Sequence, residues 1–139
     1  MNLSETEARE RFAASPVGRL ATADRAGIPH VVPVTFAADG DVIYFAIDYK
    51  PKRSVNLRRL RNISENPSVA VMADHYADDW NTLWWARADG RAEILNEGAT
   101  YRKAVELLQR KYDQYAEHPP QGPVVVIHVD GWTGWAFAG

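Results

Sequence analysis

The chain has 139 residues, of which 46% are hydrophobic and five are tryptophan, enough for one domain with a real core. Its formal net charge is −2 at pH 7 and it has no cysteine, which excludes disulfides, thiolate zinc sites, iron–sulfur clusters and a cysteine nucleophile. No run approaches the roughly 18 apolar residues of a membrane span. The first twelve residues, MNLSETEARERF, lack the apolar stretch of a signal peptide. A single cytoplasmic domain over residues 1–139 is therefore expected.

Ser4-Glu5-Thr6-Glu7 has the form of a capping box, so a short helix is predicted from Glu5 to Ala14 with Leu3, Ala8 and Phe12 on its apolar side. Ser15-Pro16 ends it. Val17 to Thr22 is predicted as a strand, and Asp24 to Gly27 as a turn. Ile28 to Ala37 is rich in β-branched residues but carries Pro29 and Pro33, which cannot donate to a ladder. That strand should have an edge, a bulge or a break there, with freed backbone groups available to a ligand. Asp39-Gly40 signals a hairpin into a buried strand, Asp41 to Ile47.

The stretch Ile47 to Pro67, IDYKPKRSVNLRRLRNISENP, holds Lys50, Lys52, Arg53, Arg58, Arg59 and Arg61. Local positive charge in a chain with negative net charge points to a site rather than to diffuse polyanion binding. Ser54, Asn56 and helix amides add hydrogen-bond donors, the combination that a phosphate requires. A solvated helix face is the alternative. Arg53 to Ile63 has helical spacing, with Val55, Leu57, Leu60 and Ile63 on one side.

Ser68 to Asp74 is predicted as a strand and Asp74 to Asn81 as an acidic, aromatic loop. Thr82 to Leu95 is one long strand or a hairpin broken at Asp89-Gly90. Within it Trp84 and Trp85 must face opposite ways. Only one can meet the core of a one-sided sheet, so the other must meet a helix, a partner chain or a ligand. A helix is predicted over Gly98 to Ala116, burying Ala99, Val105, Leu108, Tyr112 and Tyr115. Val124 to Val129 and Trp132 to Phe137 are predicted as the last two strands. Six or seven short strands, mostly hairpin-connected, with about three helices, lack the alternation of a parallel α/β sheet. The expected class is mainly β (α+β), an antiparallel barrel with peripheral helices.

Catalytic signatures such as GxSxG and HExxH are absent, as are the P-loop and GxGxxG fingerprints. His30, His75, His118 and His128 are scattered. His75 lies near Asp74, Asp78 and Asp79, but acidic loops are usually solvated, so no metal is assigned. His128 is expected as a hydrogen-bonded core residue. The negative charge, the acidic loop and the narrowness of the basic cluster argue against nucleic acid. A compact anion site beside aromatic and broken-strand walls suits a planar phosphorylated cofactor, and an enzyme that borrows its chemistry needs few catalytic side chains.

Several fragments, taken in order, carry a resemblance over nearly the whole chain. They are Arg19-Leu20-Ala21-Thr22, Gly27 to Val34, Ile43-Tyr44-Phe45, Lys52 to Leu57, Asn66 to Val71 and Trp84 to Ala92. Together they resemble the split β-barrel flavin and deazaflavin oxidoreductases, the pyridoxamine-phosphate-oxidase-like family. The Arg58–Asn62 run and the DHYADDW–LWW stretch resemble its coenzyme F420-dependent subgroup. The resemblance implies a homodimer with cofactor sites at the interface and a small-molecule substrate. It places the cofactor phosphate and acidic tail on Lys50, Lys52, Arg53, Ser54 and Asn56, with Arg58 reaching the tail. The ring would rest on Val32, Pro33 and Val34 and on Ile47 and Asp48, with Trp80 and Trp132 lining the substrate side. The implied reaction is hydride transfer between reduced deazaflavin and an electron-poor C=C or C=N bond. The proton donor stays open among Tyr76, His75 and solvent. FMN in place of F420, or a non-catalytic cofactor-binding protein, are the alternatives on the same fold.

Overall fold

A computed structural model describes residues 1–47 and 58–138. Seven strands form one antiparallel sheet: β1 (Gly18–Ala23), β2 (Pro29–Val34), β3 (Ala37–Asp39), β4 (Val42–Ala46), β5 (Ser68–His75), β6 (Trp84–Leu95) and β7 (Val124–Ala136). Among the described residues four α-helices join them: α1 (Glu5–Ala13), α2 (Arg58–Glu65), α3 (Ala99–Lys111) and α4 (Asp113–Glu117). No described helix is long and apolar enough to cross a membrane.

The hydrogen-bonded order is β2-β1-β5-β6-β7-β4-β3. β2 and β3 stand at opposite ends of it, yet only Thr35 and Phe36 separate them in the chain. That link reaches about 10 Å, whereas seven flat strands about 4.8 Å apart would hold their edges nearly three times farther away. The sheet must therefore curl until its edges approach without pairing, which is the split barrel.

Two apolar clusters fix the curl. Inside lie Phe12, Leu20, Phe36, Ile43, Phe45, Val71, Ile127 and Trp132 among others. Outside β4 and the first half of β7, Tyr44, Ala46, Val124 and Val126 meet Ala104 and Leu108 of α3. β4 and that part of β7 are thus buried on both faces, which is why they are continuous apolar runs. α1 keeps its capping box, with Glu7 N–H donating to Ser4 Oγ at 3.1 Å and Ser4 N–H to Glu7 Oε1 at 3.1 Å. α2 buries Ile63, and Asn62, 1% exposed, donates to Thr22 Oγ1 at 3.0 Å.

Thr82 to Leu95 takes the first of its two expected forms, one long strand, β6, with a register shift and not a hairpin at Asp89-Gly90; four other expectations change. A Cβ on Gly90 would lie 2.3 Å from His128 O, so the two backbones approach as only glycine permits. The last two predicted strands are one, β7, because Asp130 is the extra residue of a bulge opposite that step. The long C-terminal helix breaks at Tyr112, whose backbone is extended (φ −123°, ψ 123°). Ala99, expected inside, is exposed, and Ala104 takes the buried position with Leu108. His128 keeps a hydrogen bond, to Glu93 at 2.6 Å, but stands half-exposed rather than in the core.

Candidate functional site

β2 is an edge strand, which explains its prolines. Gly18, Leu20 and Thr22 of β1 face Val34, Val32 and His30, while Pro29, Val31 and Pro33 share the other parity. Proline has no N–H to give a neighbour, so these three turn their backbone to the open side, and the ladder to β1 runs through His30, Val32 and Val34. The open side thus presents the Val31 N–H and the carbonyls of Pro29, Val31 and Pro33. A free row of this kind is a ready hydrogen-bonding surface.

Around that edge the structure gathers polar groups from distant parts of the chain. Thr35, just past β2, meets Tyr115 of α4 through their hydroxyls at 3.1 Å. The Tyr112 hydroxyl accepts the Phe36 N–H at 3.0 Å and shares its proton between the carbonyls of Pro16 (2.8 Å) and Phe36 (2.9 Å). Burial raises the pKa of that phenol. Thr35, Tyr112, Gln114 and Tyr115 line a cleft of about 260 Å3. Arg59, in the first turn of α2, is half-buried, and desolvation lowers its pKa while Tyr115 opposes the shift. Among the described residues, two buried side-chain nitrogens have no hydrogen-bond partner: His30 Nδ1 on β2 and Arg59 Nε on α2. Such an atom is costly unless something satisfies it, so both are candidate contacts for a polar ligand.

The residues expected at the site divide into three groups. Asp48, Lys50, Lys52, Arg53, Ser54 and Asn56 lie outside the described residues. Val32, Pro33, Val34, Ile47 and Arg58 lie within the described residues. Of these Pro33 and Arg58 are exposed and Val32 is half-buried, while the Val34 and Ile47 side chains belong to the core. Val34 and Ile47 can therefore meet a ligand only through backbone, and the Ile47 N–H already donates to Pro123 O at 2.8 Å.

Trp80 and Trp132 diverge. Trp80 is 63% exposed, edge-on to Phe137 at 6.4 Å. Trp132 is a correction: only 7% exposed, it packs edge-on against Phe12 and donates its indole N–H to Asp41 Oδ1 at 2.9 Å. It is a core residue and lines no surface. Trp84 and Trp85 do face opposite ways. Trp84 packs on the inner cluster under Arg11, and Trp85 lies outside under Arg87.

Trp85 belongs to a broad outer face. Pro33, Arg19, Met72, Arg87 and Thr133 lie side by side across five strands of it. Val31, on the same face, is 63% exposed. Met72, Asp74, Tyr76, Trp85 and Arg87 surround a cleft of about 220 Å3 there. Among the described residues no cluster of three or more His, Cys, Asp or Glu is placed to hold a metal ion.

Sequence reasoning missed His30, Thr35, Tyr112 and Tyr115 and left Arg59 among the undifferentiated charges. Nothing in the spacing links Thr35 to a tyrosine 80 positions later.

The architecture has relatives among known proteins. The family model for pyridoxamine 5'-phosphate oxidase matches residues 4–136. Among solved structures, a FAD-binding protein from Mesorhizobium loti is 24% identical, with a TM-score of 0.71 and coverage of 96% of this chain and 93% of that one. A conserved hypothetical protein from Mycobacterium tuberculosis is 20% identical, with a TM-score of 0.76 and coverage of 96% and 85%. The heme storage protein HutZ from Vibrio cholerae is 18% identical, with a TM-score of 0.71 and coverage of 92% of each chain. These likenesses establish a shared fold. A sequence comparison with curated proteins returns no match.

Proposed function

The chain belongs to the pyridoxamine 5'-phosphate oxidase family, and on that premise we propose that it is an oxidoreductase dependent on coenzyme F420. It transfers a hydride between the reduced deazaflavin and a small unsaturated organic substrate. The observation that carries this reading is the pair of unsatisfied buried nitrogens, His30 Nδ1 on β2 and Arg59 Nε on α2. A flat ring with polar edges and an anionic arm meets both needs: donors and acceptors along β2, and positive charge from α2 and the segment before it. The donor set therefore fits the cofactor.

In this reading the chain supplies binding and orientation. Lys50, Lys52, Arg53, Ser54, Asn56 and Arg58 hold the anionic arm, with Arg59 beside them. Val32, Pro33 and Val34, with Ile47 and Asp48, border the ring. The cofactor, when bound, supplies the hydride chemistry. Tyr115 and Thr35 keep the end of β2 fixed, so that the edge is preorganised before a ligand arrives. Trp80 and Tyr76, both exposed, stand where a second subunit and a substrate can reach them.

A homodimer is part of the proposal. The outer face across β2, β1, β5 and β6 carries Val31, Met72 and Trp85 with no described helix over it, while α3 covers the face of β4 and β7. A second copy seated on the Val31 and Trp85 parts of this face would give Trp85 a partner and leave Arg19, at the start of β1, at the margin of the contact.

FMN or FAD is the second reading, and the name of one of the structural relatives favours it. That one, from Mesorhizobium loti, is named as FAD-binding. The length of the basic run from Lys50 to Arg61 favours the longer, more highly charged F420 arm. Titration of the purified chain with F420, FMN and FAD separates the readings. Saturable fluorescence change with F420 alone supports the first, and with a flavin alone overturns it. Turnover of enones or quinones with reduced F420 tests catalysis, and its absence alongside tight binding supports a carrier.

A further inference from the structure

Pro16, tied by its carbonyl to Tyr112, also forms part of the rim of another cleft. This one measures about 550 Å3 and opens between the end of α1 and the ends of β1, β5 and β6. It shares no lining residue with the corner at Thr35 and Tyr115. Trp84, Arg11, Arg19, Asp74 and His75 give it its chemistry. The Arg11 guanidinium stands 5.6 Å from the centre of the Trp84 ring. Other arginines of the chain are neutralised: Arg9 by Asp41, Arg87 by Asp89, Arg91 by Asp130 and Arg110 by Glu106. Neither Arg11 nor Arg19 has an ion-pair partner among the described residues. The two guanidinium cations and the single carboxylate of Asp74 leave these groups with one net positive charge.

A pair of arginines on a concave surface with an indole between α1 and the sheet has a specific complement. Guanidinium forks match a carboxylate bidentately, and the tryptophan surface takes an apolar ring. The volume is in the range of small-molecule sites. One net positive charge suits a monoanion better than a phosphate dianion, which Asp74 would repel. We propose that this cleft is a second ligand site, separate from the cofactor seat, for a flat organic carboxylate whose ring contacts Trp84 and whose carboxylate meets Arg11 and Arg19.

The test titrates 1-naphthoate into the cofactor-free full chain and follows tryptophan fluorescence and heat, with 1-naphthalenemethanol as the neutral analogue. Naphthoate is expected to saturate, and the neutral analogue and the Arg11→Gln and Arg19→Gln variants to bind about tenfold more weakly or worse. Arg19 is exposed on β1, so Arg19→Gln should keep its melting temperature and remains decisive if Arg11→Gln folds poorly. Trp84→Phe should lose most of the quenching. Equal binding of the neutral analogue, an unchanged affinity in Arg19→Gln, or displacement of naphthoate by FMN or F420 would overturn the proposal. Arg59→Ala should leave naphthoate binding unchanged, so failure of the cofactor reading and failure of this one are separately visible.

Discussion

The Tyr112 hydroxyl and the Phe36 backbone hold each other twice, through the Phe36 N–H at 3.0 Å and the Phe36 carbonyl at 2.9 Å. Phe36 is one of the two residues that carry the chain from one sheet edge to the other. Its backbone lies between β2 and β3, where no ladder serves it, so a side chain from the C-terminal helices does. Tyr112→Phe leaves that N–H without its partner and should cost about 1–3 kcal/mol of stability, measured by urea unfolding. Tyr115→Phe removes only an exposed hydroxyl pair and should cost less than about 1 kcal/mol. Equal costs would show that the edge-to-edge link does not depend on Tyr112.

Arg59 carries the site proposal most directly. Its Nε is buried without a partner among the described residues, and burial already lowers its pKa. Arg59→Ala should weaken cofactor binding by about 1.5–3 kcal/mol, the range of a charge-assisted hydrogen bond, while leaving stability unchanged or slightly raised. Unaltered affinity in a titration would move the anionic arm away from α2.

The sheet face predicts an oligomeric state. Val31 is exposed beside Ala21 on that face. Val31→Glu puts an uncompensated charge into the proposed dimer contact, and light scattering should show the variant dissociating while its circular dichroism is unchanged. A wild-type monomer would remove the contact altogether.

Much of the barrel was legible because its signals are local. The capping box at Ser4 and Glu7, the Asp39-Gly40 turn and the proline-marked edge each need only a few neighbouring residues. The site was legible in its charge and its edge strand but not in its closure. Thr35, Arg59, Tyr112 and Tyr115 come together only because the sheet curls, and no periodicity reports a curl. Trp132 misled for the same reason. The resemblance placed it on the substrate side, yet its ring packs against Phe12 and its indole N–H reaches the exposed Asp41 beside β7. The break at Tyr112 was invisible too, since neither glycine nor proline marks it in the sequence.

Gly90 reports on the crossing of β6 and β7. A Cβ there would meet His128 O at 2.3 Å and C at 3.0 Å, both backbone atoms that cannot turn away. Gly90→Ala should cost about 2–3 kcal/mol through forced separation of the strands. A Cβ on Gly131, at the bulge, would meet no atom within 4 Å, and Gly131→Ala should stay within about 0.5 kcal/mol. Thermal melts of the two variants decide this, and similar losses would mean that the close approach is relieved by a small shift.

Lys111 gives the fold a pH dependence of unusual sign. Its ammonium donates to Ser15 O at 2.7 Å and Ala13 O at 3.4 Å and lies 3.8 Å from the centre of the Phe36 ring. It ties the end of α1 to α3 with no carboxylate nearby among its hydrogen-bond partners. Burial lowers its pKa from 10.5 to about 8. Between those two values the unfolded chain keeps a proton that the folded chain has released. This residue's contribution to the unfolding free energy must therefore rise with pH across that window, having been at its least favourable below about 8. Reductive methylation with labelled formaldehyde and NMR titration should find one lysine titrating near 8. Lys111→Met should erase that resonance and flatten the rise in stability above pH 8. A Lys111 pKa above 10 would mean that the two carbonyls and the Phe36 ring hold the charged form well enough to cancel its burial.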